Sequence, residues 1–484
     1  MAPDPDFEHP KMEERRNIPP GLPRDNPIKS YWQDPPDAIA DCRTTEDLPA
    51  DADIVIVGSG VSGSSIAFNL LSSDPCLKVV LLEARQAASG ASGRNGGHTK
   101  TATYRSFDEN VKSVGPEDAV KITNLEYNTM VTVHAFSRQH SIPCDSVRCQ
   151  TIDVFYDSAQ FEAAKESVAL MEKLMGKDEA PKHIFHDAVE TAEKYLAPGS
   201  VGSLEYESGS LSAYKFTIGV LKLALGKGLN LQCNTPATSI SQSGDKRWTI
   251  ETPRGTIKSK KLLLATNGYT AHLYPLLQGV IVPLRGVVTA QRPGQNLPQQ
   301  GLGTTYSFVY KEGFEYMISR PAGSKFEGDI VIGGGMHVAE GDGMNEYGNT
   351  DDTTYDKSSA DYLLECTRRY FGPKNWGKDH TDGHNRRTWS GVMGFSADGY
   401  PFVGPVPGEE GLYLSASFQG HGMVLCFLCA QAVTSMIEGK DGEELNSWFP
   451  ECYRVTEQRM GKKFEGRIKA AGAPEPQPVE NGTT

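Results

Sequence analysis

The chain has 484 residues, 38% of them hydrophobic, enough for two domains or one discontinuous one with a sizeable core. A formal charge of −13 and an isoelectric point near 5.4 repel phosphate backbones and anionic lipid, so nucleic acid and membranes are excluded as broad partners and small molecules are expected. Nine dispersed cysteines and the lack of an apolar run of membrane-spanning length make the cytoplasm the expected compartment.

Residues 1–49 read as an extended arm. Its opening mixes Pro, acids and Arg, which suits neither a secretory leader nor an acid-poor transit peptide, and Tyr31 and Trp32 in "SYWQDPP" offer anchors onto a folded body. From Asp53 the pattern becomes strand ("DIVIVG"), helix ("SSIAFNLLSS") and strand ("KVVLLE"), one βαβ unit with fully buried strands. Between the first strand and the helix, Gly58, Ser59, Gly60, Val61, Ser62 and Gly63 form a G-x-G-x-x-G turn. Such a turn lets the backbone approach a pyrophosphate, whose charge then faces the helix N-terminus. Glu83, ahead of Ala84 and Arg85, closes the second strand where a carboxylate accepts the hydrogen bonds of an adenosine ribose.

Those features fit NAD and FAD alike. "EARQAASGASGRNGGH", Glu83 to His98, then places a second Gly/Ser-rich loop after the acid, room that a longer, flavin-bearing dinucleotide needs. Further on come a strand ("CQTIDVFYD") and an amphipathic helix ("SAQFEAAKESVALMEKLMG"). "RWTIETPRGTIKSKKLLLATNG" reads as two strands about a glycine turn followed by a third. "FEYMISRP" and "GDIVIGGGMHV" are further strands, and Leu412–Ala416 is a strand leading through a Gly-rich turn into an apolar helix. The Pro-rich end "APEPQPVENGTT" is expected to be disordered, and its sequon at Asn481 to go unused without a secretion signal.

Together with "GSLSAYKF", "NTPATSI", "LLLATNGYT", "VPLRG", "RTWSGVMGFSADGYPFVGP" and "SFQGHGMV", these motifs resemble the D-amino-acid oxidase and glycine oxidase superfamily of FAD-dependent amine oxidoreductases. The resemblance runs from about residue 28 to 445. It is nearest the γ-glutamylputrescine oxidase-like branch and fungal paralogues with a similar arm. It implies an α/β protein: a discontinuous, Rossmann-like FAD-binding domain (50–105, 205–275, 385–445) and a strand-rich α+β substrate domain (106–204, 276–384), followed by a C-terminal helix and tail (446–484). It also implies FAD contacts from Ser92, Arg94, Asn95, Gly96 and Gly97, from the backbone of Ala237 at the adenine, and from Thr266, Asn267, Gly268 and Asp398. Gly420, His421, Gly422 and Met423 would wrap the pyrimidine end, where a helix N-terminus would stabilise reduced flavin.

Such proteins oxidise a C–N bond of a primary or secondary amine, or of an amino-acid derivative, by hydride transfer to flavin N5, with imine hydrolysis and oxygen as the expected acceptor. Little acid–base machinery is needed. Amino-acid members carry an arginine for the substrate carboxylate where this chain has Met393, with Arg320 in "MISRP" as a possible substitute. Members that hold flavin covalently have a cysteine near the place of Gly391, so non-covalent FAD is expected, and the oxygen-activating lysine of some oxidases corresponds to Val331. His98, Tyr316, Arg320 and Met393 are the candidate substrate-facing residues, Tyr316 and Arg320 sharing one strand face. Cys426 and Cys429 read as core thiols, and the His380/His384 and His183/His186 pairs as solvated loop residues rather than metal ligands. The alternatives are a dehydrogenase with another acceptor, a tailoring oxidase of fungal secondary metabolism, a protein that keeps flavin for structure, and an NAD dehydrogenase.

Overall fold

In a computed structural model, which describes residues 10–466 apart from Glu312, the chain builds two eight-stranded sheets. The first contains β1 (Asp51–Val57), β2 (Val79–Leu82), β6 (Asn230–Gln232), the hairpin β7 (Ser239–Gln242) and β8 (Trp248–Thr252), β9 (Gly255–Leu264), β15 (Phe402–Pro405) and β16 (Leu412–Ala416). Its order is β15-β16-β9-β1-β2-β6, parallel from β16 to β6, with β15 antiparallel at the edge and β7–β8 folded onto β9. Parallel strands buried on both faces explain the continuous apolar runs. In β1, Ile54 and Ile56 pack against the helices Val61–Ser73, Ala213–Leu225 and Cys426–Ile437, while Val55 and Val57 pack on the opposite face with Leu262 and Leu264.

The second sheet contains β3 (Val147–Phe155), β4 (His183–Asp187), β5 (Gly202–Ser210), β10 (Ile281–Gln291), β11 (Thr305–Tyr310), β12 (Gly313–Ser319), β13 (Ile330–Gly334) and β14 (Asn385–Ser396), in the order β14-β10-β13-β12-β11-β3-β5-β4. All its pairings are antiparallel except β11 with β3. Alternation sends Ile152, Val154, Met317, Ile330 and Ile332 into a core with the helix Lys357–Trp376, and turns Val288 and Tyr316 toward the cleft described below.

Several elements differ from the sequence expectations. Residues 255–264 are one strand rather than two, because β9 pairs with β8 through its first half and with β1 from Lys258 to Leu264 without a break between the two pairings. Residues 385–396, expected with the FAD-binding part, lie in the second sheet, where β14 follows nearly the whole length of β10; β5, which reaches Ser210, lies there too. The helix Phe107–Gln139 was not foreseen, and it breaks where Gly115, at φ 85°, precedes Pro116. Part of the arm, Pro10–Arg16, is helical. Tyr31 and Trp32 are its anchors: Tyr31 stacks on Trp389, and Trp32 Nε1 donates to the Asn95 carbonyl at 2.5 Å. Asn481 and the Pro-rich end lie outside the described residues.

Candidate cofactor and active site

A cleft opens at the carboxyl ends of β1 and β9 and extends to β12 and β14 of the second sheet. This is where an open parallel sheet receives ligands. Its floor is the Gly58–Ser62 turn. Gly58 has φ 107°, and a Cβ there would lie 2.5 Å from the Ala265 carbonyl; a Cβ on Gly63 would lie 1.9 Å from the Gly58 carbonyl. The turn therefore closes only with glycine at both places, and it begins the helix Val61–Ser73 facing the cleft. Glu83 is fixed beside it: Oε2 accepts from the Ser59 amide (3.1 Å) and hydroxyl (2.6 Å), and Oε1 from the Arg85 amide (3.0 Å). Ser92 Oγ accepts from the Val61 amide at 2.9 Å, which brings the second Gly/Ser-rich loop against the first.

Of the residues singled out in the sequence, Gly58, Ser59, Gly60, Val61, Ser62, Glu83, Ala84, Arg85, Ser92, Arg94, Asn95, Ala237, Thr266, Asn267, Tyr316, Met393, Gly420, Gly422 and Met423 line this cleft. Asn267 Oδ1 accepts from the amides of Ser417 and Phe418 (3.0 and 3.2 Å) and so holds the turn at the far end. The helix there begins only at Cys426, after a 3-10 turn at Gly422–Val424, because left-handed backbone at Ser417, Gln419 and Gly420 delays it.

Gly63, Gly96, Gly97, Gly268, His421, Asp398, His98 and Arg320 lie outside the lining. Gly96 instead makes room for the Tyr316 ring, which a Cβ would meet at 2.3 Å. Asp398 is held by Arg459 at 2.8 and 2.9 Å. His98 Nε2 bonds Thr305 Oγ1 at 2.7 Å, and burial, then the neighbouring Lys100, drives its pKa well below the ordinary value. Arg320 does not share Tyr316's cavity: it follows the end of β12, donates to Asp145 Oδ2 at 2.7 Å and lies over the Trp32 ring. Period-two alternation gave the right face, but Ile318 and Trp32, packed in one core, occupy the space alongside.

The sequence reading missed Gly21, Leu22 and Pro23 of the arm, Tyr269, His272, Val288 and Phe418, all of which line the cleft. Tyr269 lies within the quoted "LLLATNGYT" motif and His272 two residues beyond it, the one local signal available. Their Oη and Nε2 are buried without hydrogen-bond partners among the described residues, as expected of groups that await a ligand. Arg85 is gripped by Asp352 (2.9 and 3.1 Å); Arg94 donates to the carbonyls of Ser390 (2.7 Å) and Ile28 (2.6 Å), and burial lowers its pKa to about 10. Cys426 borders the cleft and Cys429 is fully buried; burial pushes Cys426 up to about 12, so both are core thiols and poor nucleophiles. No group of three or more His, Cys, Asp or Glu able to hold a metal occurs among the described residues.

A glycine cradle at a helix start, a fixed carboxylate and unpartnered polar atoms in one cleft fit a dinucleotide. The model of the FAD dependent oxidoreductase family, DAO, matches residues 53–436. The chain belongs to this family. It is therefore an FAD enzyme, with the cleft as the site whose residues fit the cofactor. Among curated relatives of this flavoprotein, a probable oxidoreductase OrdL of Rhizobium meliloti is 25% identical over 402 residues, covering 81% of this chain and 84% of that one. The gamma-glutamylputrescine oxidoreductase of Escherichia coli is 22% identical over 405 residues, covering 82% and 85%. The fold is similar to that of the crystal structure of glycine oxidase from Geobacillus kaustophilus, with TM-score 0.67 at 18% identity over 84% of this chain and 99% of that one. No helix among the described residues is long and apolar enough to cross a membrane.

Proposed function

We propose that this flavoprotein oxidises a C–N bond of a primary or secondary amine that lacks a free α-carboxylate, with oxygen as acceptor and FAD held non-covalently. The observation that carries the substrate reading is the makeup of the cleft where the two sheets meet. Tyr316, Val288, Met393 and Phe418 line it, and the arginines among the lining residues, Arg85 and Arg94, are engaged by Asp352 and main-chain oxygens. Arg320 gives Nη2 to Asp145 and lies outside the cleft lining, over the Trp32 ring, with its Nε and Nη1 buried and unpartnered among the described residues, so no arginine that lines this end is free for a carboxylate. An apolar wall suits a neutral amine.

FAD supplies the two-electron acceptor for hydride removal from the carbon beside the amine nitrogen, and the imine is then hydrolysed. The chain's own residues bind, orient and exclude water. Burial pushes the Tyr316 hydroxyl up to about 12, so it remains a neutral donor to orient the amine. Met393, between Gly286 and Gly420, and Phe418, pinned by Asn267, keep the reacting end dry. Gly391 offers no side chain for covalent attachment, in support of releasable FAD.

Purified protein titrated anaerobically with amines and amino acids, then exposed to air, tests this reading. Flavin absorbance bleached by an amine and returning in air is the expected result; bleaching by free α-amino acids alone would overturn the substrate class. Tyr316→Phe should retain FAD yet bleach at least about tenfold more slowly. Val331, at the place of the oxygen-activating lysine, is fully buried in an apolar core, so recovery slower than turnover would assign the electrons to another acceptor.

A further inference from the structure

The arm reaches into the cofactor site. Gly21, Leu22 and Pro23 line the cleft, although the family match begins only at residue 53. The arm is tied down on both sides of this point. Before it, Gln278 Nε2 donates to the Arg16 and Ile18 carbonyls (2.7 and 3.2 Å) and Thr350 Oγ1 to the Pro20 carbonyl (2.9 Å). After it, Arg85 Nη1 donates to the Arg24 carbonyl (3.0 Å), the Ile28 amide to the Asp352 carbonyl (2.9 Å) and Arg94 Nη2 to the Ile28 carbonyl (2.6 Å). Two arginines that border the cleft thus also hold the arm, and both face the buried Asp352 carboxylate.

The sequence "IPPGLPRDNP" suits a strap. Its prolines fix φ and lower the entropy lost in keeping an extended segment in place. Leu22 keeps 36% of its surface exposed while lining the cleft, and a dinucleotide seated there covers it. The unpartnered Tyr269 hydroxyl and His272 Nε2 belong to the same cleft, and Tyr269 lies within the electrostatic reach of Arg24, Arg85 and Asp352.

We propose that residues 21–23 form a wall of the FAD site and that the arm straps the cofactor in, so that FAD leaves only when the arm lifts. This rests on the cleft being the cofactor's seat. The first test is the rate of FAD release from full-length holoprotein, followed as flavin fluorescence after dilution, for the parent chain, for L22G/P23G and for Glu83→Ala. The expected result is release at least about tenfold faster in L22G/P23G, from the loss of the apolar Leu22 side chain that a seated FAD covers and of proline stiffness. Faster release in Glu83→Ala alone would overturn the strap and keep the seat; unchanged release in both would overturn the seat and the strap with it. Hydrogen exchange on the unaltered chain gives a reading independent of any folding defect. Amides of residues 21–26 should exchange more slowly with FAD bound than in flavin-stripped protein, and equal exchange would overturn the proposal.

Discussion

At the scale of single residues, the Gly58–Gly63 turn is fixed by steric necessity, with Glu83 bonded to Ser59 beside it. Gly63 makes no cleft contact, yet a Cβ would stand 1.9 Å from the Gly58 carbonyl, an atom of the backbone that cannot swing aside. Gly63→Ala should therefore displace the turn, cost about 1–3 kcal/mol of stability and yield protein with little FAD, read from flavin absorbance per chain. Full flavin content in that variant would refute the steric account. These residues were legible in the sequence because a turn's backbone requirement is local. The occupation of Arg320 was not, since Asp145 is 175 residues away in the chain.

At the scale of elements, the helix Phe107–Gln139 carries an unusual buried carboxyl group. Glu126 is buried, its Oε2 has no partner among the described residues, and burial raises its pKa from the usual 4.5 to about 8. The folded chain thus holds a proton that the unfolded chain releases near pH 4.5. The associated stability is complete below about pH 4.5 and is lost as pH rises through about 8. Glu126→Gln should remove this dependence, so its stability relative to the parent should grow from pH 5 to 9 by on the order of a few kcal/mol, measured by denaturant unfolding. Parallel pH profiles would refute it. The break of the same helix at Gly115-Pro116, like that of Lys357–Trp376 at Gly372-Pro373, follows from adjacent residues, whereas the pairing of β14 with β10 depends on chain a hundred residues away.

At the scale of the whole molecule, the cleft draws on the first sheet, the second sheet and the arm, so a cofactor seated in it would link all three. Its binding should stabilise the chain as a unit. At free FAD a hundredfold above its dissociation constant the gain is about 2.7 kcal/mol, which for a chain of this length raises Tm by about 3 °C over flavin-stripped protein. Scanning calorimetry with and without added FAD checks this, and coincident transitions would mean that the cleft does not take the cofactor.

The sequence by itself determined the βαβ cofactor unit, its glycines and its acid, because each rests on periodicity or turn chemistry within a few tens of residues, while the family and the flavin followed from the resemblance of several separate motifs to known proteins. It also marked the loss of an arginine at Met393. Tertiary structure alone decided that Arg320 is paired away from the cleft, that Tyr269 and His272 line it, that β14 joins the second sheet, and that Leu22 and Pro23 reach the cleft. Side-chain partners and burial depend on which distant segments meet, and no local pattern encodes that meeting.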